Sequence, residues 1–199
     1  IRGIQSESLK PDAHITVIKE TDSIAVVDGN DGFGQVVAKE AMMLAIKKAK
    51  KTGIGFVSVT RPGHLGRVEE FTELAAQNGC IGFAVVNSGL SQAPWGSIDP
   101  VYGTNPIAVC IPAGRHRNIL YDAATSVVAA GKISVASAAS KPIPLGWVIN
   151  HEGNLTTNPD DFRPPLKTGR AEAAGRRGSL LPFGGYKGSG LALIVEALG

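Results

Sequence analysis

The chain contains four histidines, and one of them stands where proton chemistry could be done. His14 opens an apolar run, His116 lies in the basic turn GRHRN and His151 sits in NHEGN; each reads as exposed or structural. His64 lies in SVTRPGHLGRVEEF, after a β-branched run and directly before a helical pattern, with Gly63 and Gly66 freeing the backbone around it. A loop anchored by regular structure at both ends can hold a side chain at the edge of a cleft. Close to a helix N-terminus an imidazole is kept neutral, and a neutral imidazole accepts a proton at physiological pH. General acid/base catalysis is therefore the chemistry on offer, against the plainer reading of a surface-loop histidine.

The stretch VDGNDGFGQVVAKEAM poses a second question, because an apolar run enters three glycines and an amphipathic helix leaves them. A dinucleotide-binding fingerprint needs Gly-x-Gly-x-x-Gly, where each glycine has its own task. Here Gly29, Gly32 and Gly34 give Gly-x-x-Gly-x-Gly, and the acidic residue expected after the next strand is replaced by Thr60 and Arg61. Spacing and partner both fail. A strand-to-helix turn that needs positive φ angles accounts for these glycines instead.

The elements that must position such residues follow from composition and periodicity. With 199 residues, 43% of them hydrophobic, and a formal charge of +3, the chain can bury one sizeable core and reads as a single partial domain, 1–199. The basic cluster KKAKK (47–51) falls in the last turn of a helix, where cations complement the helix dipole. Cys80 and Cys110 each sit inside an apolar run, read as buried free thiols, point to a reducing, cytoplasmic compartment and lack metal-ligand spacing. No apolar stretch is long enough to span a bilayer. A hairpin is predicted over 14–27, and a helix over 34–51 with Val37, Ala41, Leu44, Ala45 and Lys48 near one stripe. A buried strand follows at 54–59. Next come a helix over 67–78 stopped by Gly79, then strands around 80–88 and 105–114, a helical middle to the segment after Leu120, and a last helix from about Gly188. The polar stretch 150–178 reads as a loop-rich excursion. Several strands connect without a helix, which favours a mixed α/β sheet over a fully parallel one. The basic loop 163–177 lacks interleaved aromatic residues, so no nucleic-acid partner is expected.

The blocks RPGHLGRVEEFTELAAQNGCIGFAVVNS, APWGSIDPVYGTNPIAVCIPAG, YDAATSVVAAGKI, IPLGWVINHEGNLTTNP and LLPFGGYKGSGLALIVEAL, in this order along nearly the whole chain, resemble the malate/L-lactate dehydrogenase family of NAD(P)-dependent 2-hydroxyacid oxidoreductases. The resemblance implies a non-Rossmann fold, in which a largely antiparallel mixed sheet with flanking helices binds NAD or NADP. It implies hydride transfer between that cofactor and a small 2-hydroxy acid such as malate or lactate, with no metal, in a homodimer. His64 then matches the family's acid/base histidine. The cofactor contacts fall on Ser88, on Asp122, Ala123 and Ala124, and on Lys187, with Thr104 and Asn105 lining the same site.

Each of these residues also has a plain reading, Asp122 as a helix cap and Lys187 as a solvated loop charge. The chain departs from the family at Pro62 and Gly63 before the histidine, at Ala123, and at Ser189 where an aromatic is common. The family's N-terminal helical block, whose arginine holds the substrate carboxylate, and a further C-terminal portion are not recognisable. Arg2 in IRGI is the candidate for that arginine. The competing expectation is a non-catalytic fragment that at most binds nucleotide.

Overall fold

The protein is described by a computed structural model, which covers residues 8–162 and 177–199. Arg2 and most of the basic loop 163–177 lie outside the described residues. The chain divides into two compact units, the first formed by Ile1–Ala84 and Ala108–Asp122, the second by Val85–Ile107 and Ala123–Gly199.

In the first unit the expected hairpin is present as β1 (Thr16–Glu20) and β2 (Ile24–Asp28), paired antiparallel with an irregularity between Val17 and Lys19. Its turn closes through Ile24 N, which donates to Thr21 Oγ1, and Thr21 N, which donates to Ile24 O. β2 then runs through helix α1 (Gly34–Thr52) into β3 (Phe56–Thr60), which lies parallel to β2. A parallel partner requires such a crossover, and the amphipathic stripe of α1 supplies it. Val37 and Ala41 of that stripe are buried, Ala41 against Ala25 and Val27 of β2. Lys48, also on the stripe, is 7% exposed. Its ammonium donates to Glu20 Oε2 and Thr21 O at 2.9 and 2.6 Å, so a long apolar stem is buried while its charged end meets a carboxylate and a carbonyl. Gly53 ends the helix in the left-handed region, at φ 89°, with its N–H on Ala49 O.

Helix α2 (Glu69–Gln77) buries Phe71, Thr72, Ala75 and Ala76, while Leu74, expected on the buried face, is half-buried. Strand β4 (Gly82–Val85) starts against this helix so closely that a Cβ on Gly82 would lie 2.3 Å from Thr72 O. It forms a second sheet, in the order β4-β5-β6, with β5 (Ile107–Ile111) and β6 (Ile119–Ala123). Cys110 in β5 is buried as expected and its thiol pKa is pushed up by burial, with the Glu73 charge adding to it. Cys80 corrects the sequence reading, because it lies at the α2 to β4 junction and is only half-buried.

In the second unit, the stretch expected as loop from residue 150 opens instead with a hairpin. β7 (Val148–Ile149) pairs antiparallel with β8 (Leu155–Thr156) and with β9 (Ser179–Leu180). Asn150 Oδ1 accepts from Glu152 N and Asn154 N and so closes the turn, a local side-chain device that hydropathy does not register. A core of Val128, Ile133, Ile143, Val148, Phe162 and Leu180 joins this sheet to helix α3 (Ala130–Ala138). The last helix, α4, spans Tyr186–Leu198. Three small sheets, largely antiparallel and flanked by helices, thus bear out the mixed α/β architecture. Among the described residues no helix is long and apolar enough to cross a membrane.

The glycine turn between β2 and α1 is built differently from the sequence expectation. Positive φ falls on Asn30 (53°) and Asp31 (59°), residue types that tolerate it, and not on Gly29, Gly32 or Gly34. The glycines are there for close approach. A Cβ on Gly34 would sit 2.2 Å from Gly63 O and 2.5 Å from His64 C, and one on Gly29 would sit 2.9 Å from Val37 Cγ1. Gly34→Ala should therefore lower stability by about 1–3 kcal/mol, the usual cost of overpacking against backbone. The midpoint of urea unfolding measures this, and an unchanged midpoint would mean that the loop yields freely.

Candidate functional site

His64 sits on the loop that leaves β3, and that loop is laced to the glycine turn. Gly29 N donates to Thr60 O, Asp31 N to Arg61 O and Gly63 N to Gly32 O, at 2.8, 3.1 and 3.0 Å. Arg61, the residue that spoiled the dinucleotide pattern, completes the lacing. Its Nε donates to Asp28 Oδ1 at 3.0 Å, its Nη2 to Asp28 Oδ2, and its Nη1 to Asp31 Oδ2 at 3.4 Å. The two-pronged contact fixes direction as well as attraction. Arg61 itself holds φ at 51°, a conformation a residue with a Cβ keeps only when its surroundings impose it. The imidazole of His64 is exposed and makes no hydrogen bond to any described residue. A braced backbone with an unengaged ring is what a proton-transfer residue needs, since the ring must keep its nitrogens for substrate. The other histidines differ. His14 bonds Glu40 Oε1 at 2.5 Å, which raises its pKa, and His116 and His151 lie exposed in strand turns.

Asp122, at the end of β6, is half-buried, and its Oδ2 accepts from Glu69 N at 2.8 Å. It thereby caps the first turn of α2, where a carboxylate is favoured by the helix dipole, and its Oδ1 has no partner among the described residues. Asp122 is thus no N-cap residue of a helix of its own, as the plain reading had it: it lies in β6 and meets the start of α2 from a distant part of the sequence, with one oxygen to spare. A groove of about 750 Å³ along α1, lined by Ile15, Val36, Lys39 and Met43 among others, includes none of the expected site residues.

In the second unit the remaining expected residues are tied into one network. Ser88 Oγ accepts from Thr104 N at 2.9 Å and lies 3.3 Å from Thr104 Oγ1, while Ser88 N donates to Asn105 Oδ1 at 3.1 Å. Gly103 makes the knot feasible, because a Cβ there would be 2.2 Å from Ser88 Oγ. Thr104 O in turn accepts from Thr125 N and Thr125 Oγ1, which anchors the segment carrying Ala123 and Ala124. Thr125 O accepts from Phe183 N, and that contact leads directly into α4.

The start of α4 has the donors a phosphate would need. Gly184 and Gly185 hold φ at 56° and 64°, and among the described residues no side chain caps the helix and no acceptor meets its first N–H groups. Lys187 stands exposed in this first turn with no partner among the described residues. The indole of Trp95 lies beside Gly185, where a Cβ would be 3.1 Å from the ring, and Trp95 N donates to Ser189 Oγ at 3.0 Å. The serine that replaces the family's aromatic therefore has a definite task. Trp95 escaped the sequence reading as a site neighbour because nothing in APWG announces contact with a helix ninety residues later. The donor set fits the pyrophosphate of a dinucleotide: a cation, free helix N–H groups and glycines that allow close approach.

The described residues thus form a mixed α/β fold whose glycine turn does not follow the dinucleotide fingerprint. The family model described as malate/L-lactate dehydrogenase matches residues 1–199, and the chain belongs to that family. It is 43% identical over 198 residues to a malate dehydrogenase of Pyrococcus horikoshii, covering 100% of this chain and 53% of that one. It is 38% identical over 198 residues to a malate/(S)-sulfolactate dehydrogenase of Methanothermus fervidus, covering 100% of this chain and 54% of the relative. The crystal structure of a malate dehydrogenase from Entamoeba histolytica superposes with a TM-score of 0.89 at 32% identity, covering 98% of this chain and 54% of that chain. The chain thus spans about half the length of these relatives.

The Arg61 guanidinium, through its hydrogen bonds, holds the Asp28 carboxyl below the usual carboxylate range, helped by the Asn30 N–H. A depressed folded-state pKa stabilises the protein above the unfolded value, about 4, and that contribution is lost as pH falls through the lower folded value. Asp28→Asn should therefore melt below the parent at neutral pH, and the gap should narrow as pH drops below about 4. Melting temperatures of both proteins at pH 7 and pH 3 decide it. A gap independent of pH would remove this pair from the forces bracing the loop.

Proposed function

We propose that the protein is a nicotinamide-dependent oxidoreductase that interconverts a small 2-hydroxy acid, such as malate or lactate, and the corresponding 2-oxo acid. The observation that carries this is the exposed, unengaged imidazole of His64 on a loop braced by Arg61, Asp28 and the glycine turn, in a chain of this family. His64 takes the hydroxyl proton in the oxidative direction and returns it in reduction. A nicotinamide cofactor, when bound, would accept the hydride that leaves the same substrate carbon and would return it in the reductive direction. Lys187 and the free N–H groups of α4 hold the cofactor's phosphates, and the spare oxygen of Asp122 is available to ribose hydroxyls. Ser88, Thr104 and Asn105, with Ala123 and Ala124, form the scaffold and small-residue wall beside them. Arg2 is retained as the proposed ligand of the substrate carboxylate.

Either NAD or NADP suits this donor set. The buried Cys110 and half-buried Cys80, both free, support a cytoplasmic, reducing location, and assembly as a homodimer is part of the same proposal.

His64→Ala should lower kcat/KM by about 10²–10⁴-fold, the usual worth of a positioned acid/base, while leaving the cofactor dissociation constant unchanged. Steady-state kinetics beside a binding titration check this, and a near-normal rate would end the assignment. Lys187→Ala should weaken NADH or NADPH binding about tenfold, as expected for a lost charge-assisted contact. Titration followed through Trp95 and Trp147 measures it, and an unchanged constant would return Lys187 to a solvated surface charge. Saturable binding by the parent chain without turnover of any 2-oxo acid would favour a nucleotide-binding chain that lacks the complete catalytic set.

A further inference from the structure

We propose that Asn105 is a positioning residue: it does not touch the cofactor, but its carboxamide sets the register of α4 against residues 86–88 and so fixes where Lys187 stands. This rests on the reading of Lys187 as a phosphate ligand. Asn105 is fully buried. Its Oδ1 accepts from Ser88 N at 3.1 Å, and its Nδ2 donates to Ala192 O at 3.2 Å and to Glu196 Oε2 at 2.7 Å. Both amide protons are thereby used within the protein, which leaves no donor for a ligand.

The contacts on α4 explain why such a clamp is needed. The buried side of the helix consists of Gly188, Ala192 and Val195, small side chains with little shape to prevent sliding or rotation. Directional hydrogen bonds must set the register in their place. Asn105 grips the helix at Ala192 and Glu196, Ser189 grips it at Trp95, and at the far end a Cβ on Gly199 would lie 2.8 Å from Asn87 N. Lys187 is five residues before Ala192, roughly 7–8 Å along the axis at about 1.5 Å per residue. A slip of the clamped turn therefore moves the ammonium by a similar amount.

Asn105 also keeps φ at 37° although Pro106 follows it, and a residue before proline ordinarily prefers extended backbone. Strain of this kind persists only where surrounding contacts impose it. Here those contacts are the three made by its own side chain and its N–H, which points at Ser88 Oγ at 3.4 Å.

The test is a titration of the full chain with NADH and NADPH, with melting temperatures alongside. Asn105→Asp keeps the shape but removes the donor and places a carboxylate against Glu196 and Ala192 O. It should weaken binding about tenfold. Adding Glu196→Gln should restore affinity, because the new amide can donate to that carboxylate. In a Lys187→Ala background Asn105→Asp should weaken binding by clearly less than it does alone, since the ammonium it positions is gone and only the N–H groups of α4 are left to be displaced. If Asn105→Asp does not fold, Glu196→Ala, which removes one bond at the half-buried end, should weaken binding about threefold and show the same non-additivity. Losses that multiply in the double variant, as general destabilisation would give, overturn the proposal. So does undiminished binding by Asn105→Asp when Lys187→Ala weakens it. If Lys187→Ala itself has no effect, the cofactor-site reading fails first and this inference falls with it.

Discussion

The geometry around His64 depends on two backbone segments lying closer together than a methyl group would permit. The turn at 29–34 and the segment 60–64 touch through Gly29, Gly34 and Gly63, and three backbone hydrogen bonds cross between them. One packing constraint thereby sets both the entry angle of α1 and the place of the histidine. Arg61 reinforces the contact from outside through Asp28 and Asp31, where solvent moderates its worth, so the ion pair orients the loop more than it stabilises the fold. The His64 ring makes no hydrogen bond to a described residue, and its backbone neighbours hold the loop in its place.

A different solution holds the second unit's cluster. There, buried polar groups take over the directing role that glycines play in the first. The buried Asn105 and Thr125 are bonded to the exposed Ser88 and the half-buried Thr104, and the network reaches α4 through Asn105. Such networks specify one arrangement because any slip leaves a buried donor or acceptor unpaired. Among the described residues the side chain of Gln92 is the exception, with both amide atoms buried and no described partner at a position flanked by Tyr102 and Leu180.

The regular elements of the first unit were legible because their signals are local. The stripe of α1, its Gly53 stop, the hairpin and the presence of β3 all follow from periodicity and turn chemistry, but the burial expected of 54–59 does not hold: Ile54 and Phe56 are exposed and Val57 to Val59 only half-buried. Lys48 was read onto the apolar stripe, although the reason it can sit there, Glu20 and Thr21 O, lies more than twenty residues away. The glycines were seen but given the wrong cause. Sequence shows that a glycine is present; whether it serves φ or space depends on what lies opposite, here residues 61–64. The two-residue strands β7 to β9 are too short to show an alternation, and Cys80 looked buried only because its apolar run was assumed to be covered along its whole length.

The candidate site divides along the same line between local and distant signals. Residue types near His64, Asp122 and Lys187 could be singled out once the ordered blocks were compared with a family, yet their partners could not. Glu69 for Asp122, Ser189 for Trp95 and Glu196 for Asn105 are each more than fifty residues away in sequence. Those partners decide which role a residue is free to take. A carboxylate with one oxygen on a helix start retains the other, an amide with both protons engaged has none to give, and an ammonium with no partner has its whole capacity left. Counting unused donors and acceptors therefore separates ligands from supports among residues that a motif places side by side. By that count, among the described candidate residues, His64, Lys187 and the second oxygen of Asp122 have capacity left, while Asn105 and Thr125 are engaged within the protein.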